Sequence, residues 1–469
     1  MLQMKKGDKE TVIRSSGASG KKDDKRTVPL SPKKGTRTMS FSENLPKLKP
    51  YNRSVSIVGI GVTPFVRVKD DPEYDGLTEG ELFGYAARAA MKDAGITGKD
   101  VDFMIHGQAG PGWTSNFATP NVHVANWIGM KGKASYHHSE ACATGYLALE
   151  TAVTQVASGK YDVVLSGCLE MPYSIAYPTK NLIFRRYGTD AMFHETLCST
   201  MTRDYSLFTN GILPFHFEGW LQDYIEENGL SDEQVDALLT KMAINSRYQA
   251  SINPLSLNDK DYTTRAHEAG MATAEEFLHS KFNPKLGKWL RASCFEERCD
   301  GAGAFVVMPT EMAYDYTDHP IEVLGMGHSV VEYSNPQNEH TGTTNAYKQV
   351  RELTGLTGAD MDLFMTNDFF MAQQLLSAEE CEYLPKGKGW EYIMEDRCMF
   401  TGDRPVQTNG GRCHYGHAAG ASGVHDFYEA IMQMRGQADA HQINKPVKHA
   451  MLRGFGGGQN LTCTIIRYN

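Results

Sequence analysis

Three short segments of this chain carry residue types able to do acyl-transfer chemistry. The first is Ser139-Glu140-Ala141-Cys142-Ala143-Thr144-Gly145, which places a cysteine where a loop enters an apolar helix. A helix N-terminus offers free N–H groups and a partial positive charge, which favour thiolate over thiol. A thiolate there accepts an acyl group, and small neighbours leave room for a thioester. The second is the glycine-rich run Asn409-Gly410-Gly411-Arg412-Cys413-His414-Tyr415-Gly416-His417-Ala418-Ala419-Gly420-Ala421-Ser422-Gly423. No Lys-Ser/Thr follows it and no GxGxxG is present, so a phosphate cradle fits less well than a tight loop that holds His417 toward a pocket. The third is Gly454-Phe455-Gly456-Gly457-Gly458-Gln459, where close backbone approach suits an oxyanion hole. Taken singly, each has a structural alternative: a core cysteine, a packed loop histidine, a sharp β-turn.

The elements that must position these segments belong to an ordinary globular chain. It has 469 residues, 41% hydrophobic and 22% charged, which is about three domains' worth and excludes a mainly disordered protein. Nine cysteines without CxxC spacing make neither a disulfide framework nor a zinc site, so no metal is expected in this chain. The absence of an 18-residue apolar run and of an apolar leader predicts no membrane span and a cytoplasmic location. The net charge of −9 is uneven. Residues 1–50 hold 13 Lys and Arg against 5 Asp and Glu, a surplus of +8, and leave −17 on the rest. That acidic body argues against nucleic acid as a partner. The basic head reads as a flexible or surface-wrapping extension. Asp8, Glu10, Asp23 and Asp24 interrupt it and argue against an organellar presequence.

Folded patterning starts near Tyr51. Residues 54–65, 101–107 and 161–168 read as strands, and 77–95 and 142–159 as helices, the first opened by a Thr78–Glu81 capping box. Residues 172–292 mix aromatics, Met and polar residues and read as a helical insertion, with helices over 217–229 and, capped by Ser231, over 231–251. The pattern then resumes: strands at 301–308, 321–329 and 361–368, helices at 345–355 and 420–437, and the last strands within 451–468. This is a duplicated α/β unit with helices on a central sheet. The expected organisation is a basic extension 1–50, a first half 51–171, a loop domain 172–292 and a second half 293–469.

Together these motifs resemble the thiolase superfamily, over residues 54–469. CATGYLALETAVTQVASGKYDVVLSGCLEMP resembles the stretch around the nucleophilic cysteine. SRYQASINPLS resembles the loop-domain segment that ends in Asn-Pro, and FEERCDGAGAFVVM the Ser-Asp-Gly-Ala-Ala return strand. NGGRCHYGHAAGASG matches N-x-x-G-G…G-H-P-x-G-A-T-G with Ala418 in place of Pro, and FGGGQ matches the final glycine turn. The sterol-carrier-protein-type thiolases are the nearer likeness. The resemblance implies an α/β thiolase fold: duplicated βαβ halves in a five-layered αβαβα arrangement, an inserted, mainly helical loop domain, and a homodimer. Strands 101–107 and 161–168 are expected as edges to be covered. Coenzyme A is the implied substrate and product. By position, Cys142 becomes the acyl-accepting nucleophile and His417 its base. Asn367 becomes the anchor of a water, and the N–H groups of Cys142 and Gly456 become the oxyanion hole.

One departure matters. Thiolases carry a second cysteine as acid/base, in a C-terminal Cys-x-Gly or within His-Asp-Cys-Phe. Here Gly454 and Phe369 stand there, and the sequence candidates for a substitute are Cys413 and His414. His137 and His138 precede the nucleophile loop, where one pocket-lining residue or a core or surface role fits either. Two function classes stay open. One is a thiolase-type acyltransferase that cleaves a 3-oxoacyl-CoA, such as a bulky aroylsuccinyl-CoA, or runs the reverse Claisen condensation. The other is a thiolase-like lyase or scaffold subunit of a hetero-oligomer. Relatives with altered C-terminal motifs resemble subunits that pair with a small zinc-ribbon/OB-fold acyl-CoA-binding protein, and such a partner is the expectation here too.

Overall fold

The computed structural model describes residues 45–109, 119–173, 212–330, 339–457 and 460–469. The expected basic extension lies outside the described residues up to 44, as do 174–211 of the expected loop domain and Gly458 and Gln459 of the final turn. Leu45–Asn469 make one compact unit. In chain order its main elements are β1 (Val55–Val62), α1 (Glu79–Asp93), β2 (Phe103–Gly107), α2 (Pro120–Trp127), β3 (Ala134–His138), α3 (Thr144–Ala157) and β4 (Val164–Glu170). Next come α4 (Ile212–Asn228), α5 (Asp232–Ser251), β5 (Gly301–Pro309), β6 (Ile321–Val330), α6 (Glu339–Thr354), β7 (Leu363–Thr366), α7 (Ser422–Arg435), β8 (His449–Gly456) and β9 (Asn460–Tyr468).

Local sequence explains the helix starts. Thr78 Oγ1 accepts from the Glu81 N–H at 3.3 Å while Glu81 Oε2 accepts from the Thr78 N–H at 2.8 Å, so the capping box closes both ways. Ser231 and Gln234 close a second box at the start of α5. The nine strands pair in the order β3-β2-β4-β5-β1-β6-β9-β8-β7. Strand parity then sorts the core into layers. Val55 and Ile57 of β1, Phe305 and Val307 of β5, Leu363 and Met365 of β7 and Leu452 of β8 pack in one cluster with α3 and α7. The alternate residues Val58, Ala304 and Val306 pack on α1. Phe364 and Met451 pack on α6. Helices α3 and α7 therefore lie between the two halves of the sheet, with α1 and α6 outside, which is the expected five-layered arrangement.

The duplication is visible at matching positions. β1 carries Gly59-Ile60-Gly61 and β6 carries Gly325-Met326-Gly327, each beside a one-residue bulge. A Cβ at Gly61 would lie 2.6 Å from Ala89 Cβ of α1, and one at Gly325 3.0 Å from Leu353 of α6. In both halves the G-x-G lets the outer helix rest on strand backbone.

The edges correct the sequence reading. Strand β2 is flanked by β3 and β4, and β4 by β2 and β5, so neither 101–107 nor 161–168 is an edge. The edge of the first half is β3, Ala134–His138, which pairs parallel with β2. Its run Ala-Ser-Tyr-His-His has no apolar alternation and follows the Pro-initiated α2, so periodicity did not reveal it.

Candidate active site

Cys142 sits in the turn that leads into α3, and the chain enters it through Ala141 with a φ of +48°, a left-handed conformation unusual for a residue with a side chain. That turn is held by Glu140, whose carbonyl accepts from the Ala143 N–H at 3.0 Å. Cys142 is 4% exposed. Its Sγ lies 3.3 Å from Nε2 of His417.

His417 is held from its other side. Nδ1 lies 3.1 Å from the Ser422 hydroxyl at the start of α7. The tautomer with the proton on Nδ1 donates to Ser422 and leaves Nε2 as an acceptor for the thiol proton. The His417 backbone N–H donates to Glu297 O at 2.8 Å, and its carbonyl accepts from Cys299 N–H at 3.2 Å. Gly416 permits this path with a φ of +128°, where a Cβ would lie 2.9 Å from Cys299 Sγ.

A buried ion network stands behind the histidine. Arg412 and Asp426 are both fully buried, with Nη1 donating to Oδ1 at 2.8 Å and Nη2 to Oδ2. The Tyr146 hydroxyl of α3 also donates to Asp426. Arg412 Nη2 further reaches Ser422 O at 3.1 Å, so the guanidinium fixes the residue that faces His417. The Arg412 N–H donates to Asp368 Oδ1 at 2.8 Å, and Asp368 Oδ2 accepts from Gln374 Nε2 at 2.6 Å, which ties this loop to the Asn367 loop. Burial lifts Asp368 to about 6 despite Arg412.

Electrostatics set the resting state of the pair. Burial pushes the Cys142 thiol well up, Glu296 adds to the rise, and Arg412 opposes it. Burial, helped by Arg412 and Arg298, holds His417 well below the usual histidine value. Thiol and imidazole are thus both neutral before substrate arrives, rather than the thiolate–imidazolium pair that the helix terminus alone suggests.

The other predicted residues fall on two sides. Asn367 is buried, its Nδ2 donates to Phe455 O at 3.0 Å, and its Oδ1 is buried without a hydrogen-bond partner among the described residues. Gly456 meets the nucleophile loop so closely that a Cβ there would lie 2.6 Å from Glu140 O. Gly456 thus lies against the Cys142 loop, and Asn367 is tied to Phe455, the residue before Gly456. Cys413 and His414 point elsewhere. The Cys413 thiol donates to Cys294 O at 3.4 Å and Asp368 O at 3.3 Å, and burial raises it far above a normal thiol. His414 Nδ1 lies 2.6 Å from the Cys413 carbonyl, its ring meets Tyr262 edge-on, and burial lowers it to about 3. His137 pairs with His106, Nδ1 to Nδ1 at 3.2 Å, on the β3 side of the sheet.

Sequence reasoning passed over Arg412, Ser422, Asp368 and Glu296. Arg412 and Ser422 lay inside a motif read for its glycines and histidine, and a charged residue in so tight a loop was the available signal. Among the described residues no cluster of side chains is arranged to hold a metal ion.

Residues 55–311 match the family described as thiolase, N-terminal domain, and residues 327–468 match thiolase C-terminal domain-like. The chain is 25% identical over 409 residues to an acetyl-CoA acetyltransferase of Methanothermobacter thermautotrophicus, covering 86% of this chain and 97% of that one. It is 27% identical over 416 residues to the benzoylsuccinyl-CoA thiolase subunit BbsB of Thauera aromatica, covering 87% of this chain and 95% of the relative. The solved Ltp2-ChsH2(DUF35) aldolase shares the fold, with a TM-score of 0.67 at 20% identity over 88% of this chain and 97% of that one.

Proposed function

The chain belongs to the thiolase family, and from that premise we propose that this acyltransferase works through an acyl-enzyme on Cys142. It cleaves a 3-oxoacyl-CoA with coenzyme A or runs the reverse condensation. The carrying observation is the 3.3 Å approach of Cys142 Sγ to His417 Nε2, with Gly456 against the Cys142 loop. His417 takes the thiol proton as the sulfur attacks the acyl carbonyl. The N–H groups of Cys142 and Gly456 stabilise the oxyanion of that step. Asn367, whose Oδ1 has no partner among the described residues, holds a water that serves the carbonyl of the second substrate.

The substrate we propose is a bulky or aromatic acyl-CoA, such as an aroylsuccinyl-CoA. The benzoylsuccinyl-CoA thiolase subunit among the relatives supports it. In this reading residues 172–292 are the loop domain between halves 51–171 and 293–469. The protein is a homodimer joined along β3, and a small zinc-ribbon/OB-fold subunit is its partner. The relative that is itself named a subunit supports the last point. No helix among the described residues is long and apolar enough to cross a membrane.

A second reading, a thiolase-like lyase or a non-catalytic scaffold subunit, draws on Gly454 and Phe369 at the two positions where a second thiol is usual. The separating test is the intact mass of the protein after incubation with acetyl-CoA. An added acetyl group that maps to Cys142 and is lost in Cys142→Ser is expected. A folded wild-type protein that never acylates would establish the second reading.

A further inference from the structure

We propose that Glu296 is the acid/base that moves the α-proton of the second acyl-CoA. The proposal rests on the Cys142 acyl-enzyme reading and fills the role left open by Gly454 and Phe369.

Segment 295–299 runs between the two loops that carry the other site residues. On one side Phe295 bridges to Phe370, and the Glu296 N–H donates to Phe369 O at 3.0 Å, two residues from Asn367. On the other side the Glu297 N–H donates to Arg412 O at 3.0 Å, and Glu297 O accepts from the His417 N–H at 2.8 Å. Glu296 is therefore fixed by backbone on both flanks. Among the charges that act on the Cys142 thiol its own is the largest. Oε1 accepts from Arg298 Nε at 3.3 Å, a long contact, and Oε2 has no hydrogen-bond partner among the described residues. The side chain keeps 12% of its surface accessible. Burial lifts the carboxyl to about 7, where it exists in both forms near neutral pH.

The proton balance closes. In condensation, the Glu296 carboxylate takes a proton from the α-carbon of acyl-CoA. The carbanion attacks the thioester carbon on Cys142, a C–C bond forms, and the C–S bond breaks. Cys142 leaves as a thiolate beside a carboxyl that has just become neutral. In thiolysis, Cys142 attacks the 3-oxo carbon, the C2–C3 bond breaks, and Glu296 gives its proton to the departing α-carbon. His417 passes the proton it took from Cys142 to Glu296, then takes the CoA thiol's proton as that sulfur displaces the acyl group, and returns it to the Cys142 sulfur. Because carboxylate and thiolate repel each other, the site holds one negative charge at a time, and each proton transfer is coupled to the state of the sulfur.

The test uses the full chain, with acetyl-CoA as probe and three measurements: acetylation of Cys142 by intact mass, exchange of the acetyl hydrogens with deuterium from solvent, and alkylation of Cys142 by iodoacetamide. Glu296→Gln is expected to acetylate normally and to exchange at least about a hundredfold more slowly. It should also alkylate faster at neutral pH, because the charge that raises the thiol pKa is gone. Glu296→Asp should restore part of the exchange. If Glu296→Gln does not fold, the wild-type exchange rate decides, and it should rise through an apparent pKa of about 7. Exchange at the wild-type rate in Glu296→Gln, or a flat wild-type pH profile, overturns the proposal. So does a wild-type enzyme that acetylates Cys142 yet never exchanges. A wild-type enzyme that does not acetylate at all overturns instead the acyl-enzyme reading beneath it.

Discussion

Nε2 of His417 lies 3.3 Å from Sγ of Cys142, although 275 positions separate the two residues in the chain. The approach is held from behind by Ser422, which faces His417 Nδ1. Ser422→Ala is therefore expected to free the ring tautomer and lower kcat by roughly tenfold with KM little changed. That is less than the 10²–10⁴ expected for loss of the base itself in His417→Ala. Steady-state kinetics on the two variants check the ranking, and equal losses would place Ser422 in contact with substrate.

The neutral resting pair sets the pH behaviour of the thiol. Burial raises Cys142 and lowers His417, so alkylation of Cys142 without substrate should be slow at pH 7. It should climb about tenfold per pH unit up to at least about pH 9. A plateau near neutrality would mean that a thiolate–imidazolium pair already exists.

Arg412 and Asp426 form an ion pair with no exposed surface. Removing one partner leaves a buried charge unmatched, so Arg412→Met should cost about 3–5 kcal/mol of stability. Arg412→Met combined with Asp426→Leu should recover part of that loss, because neither charge is then stranded. Urea unfolding of the two variants measures the difference, and an additive loss would show that the pair matters only through its separate neighbours.

Buried histidines predict acid sensitivity. Burial lowers His106, His414 and His425 each to about 3. The unfolded chain takes up these protons near pH 6.5 and the native one does not. The stability they contribute is complete above about pH 6.5 and falls as pH drops toward 3, by up to about 1.4 kcal/mol per pH unit for each. His106→Asn should lower Tm at neutral pH and shrink the drop in Tm between about pH 7 and about pH 5. An unchanged drop would remove His106 from this account.

The open side of β3 predicts where two copies meet. Tyr136, 37% exposed on that strand, should become buried on association. Tyr136→Asp is expected to convert a dimer at micromolar concentration into a monomer in sedimentation. A dimer that survives would place the interface elsewhere.

What the sequence determined by itself was whatever depends on neighbours a few positions apart. Thr78 and Glu81 close a box across one turn, Cys142 stands where a loop meets an apolar helix, and the strand and helix periods announce a duplicated α/β unit. Even the family was legible, because Cys142, Asn367, His417 and Gly456 sit in motifs that resemble the family's in their order along the chain. Tertiary structure decided the rest, since its causes act through space. β3 became the edge because pairing order, which no local pattern encodes, put β2 inside the sheet. Cys413 and His414, in the same loop as His417, turned into the core, where backbone carbonyls hold them. Glu296, read only as the approach to a strand, is brought to the Phe369 and His417 loops because these segments, more than 70 residues further along the chain, clamp its backbone. Protonation belongs wholly to that second category: burial and the fields of Arg412, Arg298 and Glu296 set the charges of Cys142 and His417. Those fields exist only once the chain has folded.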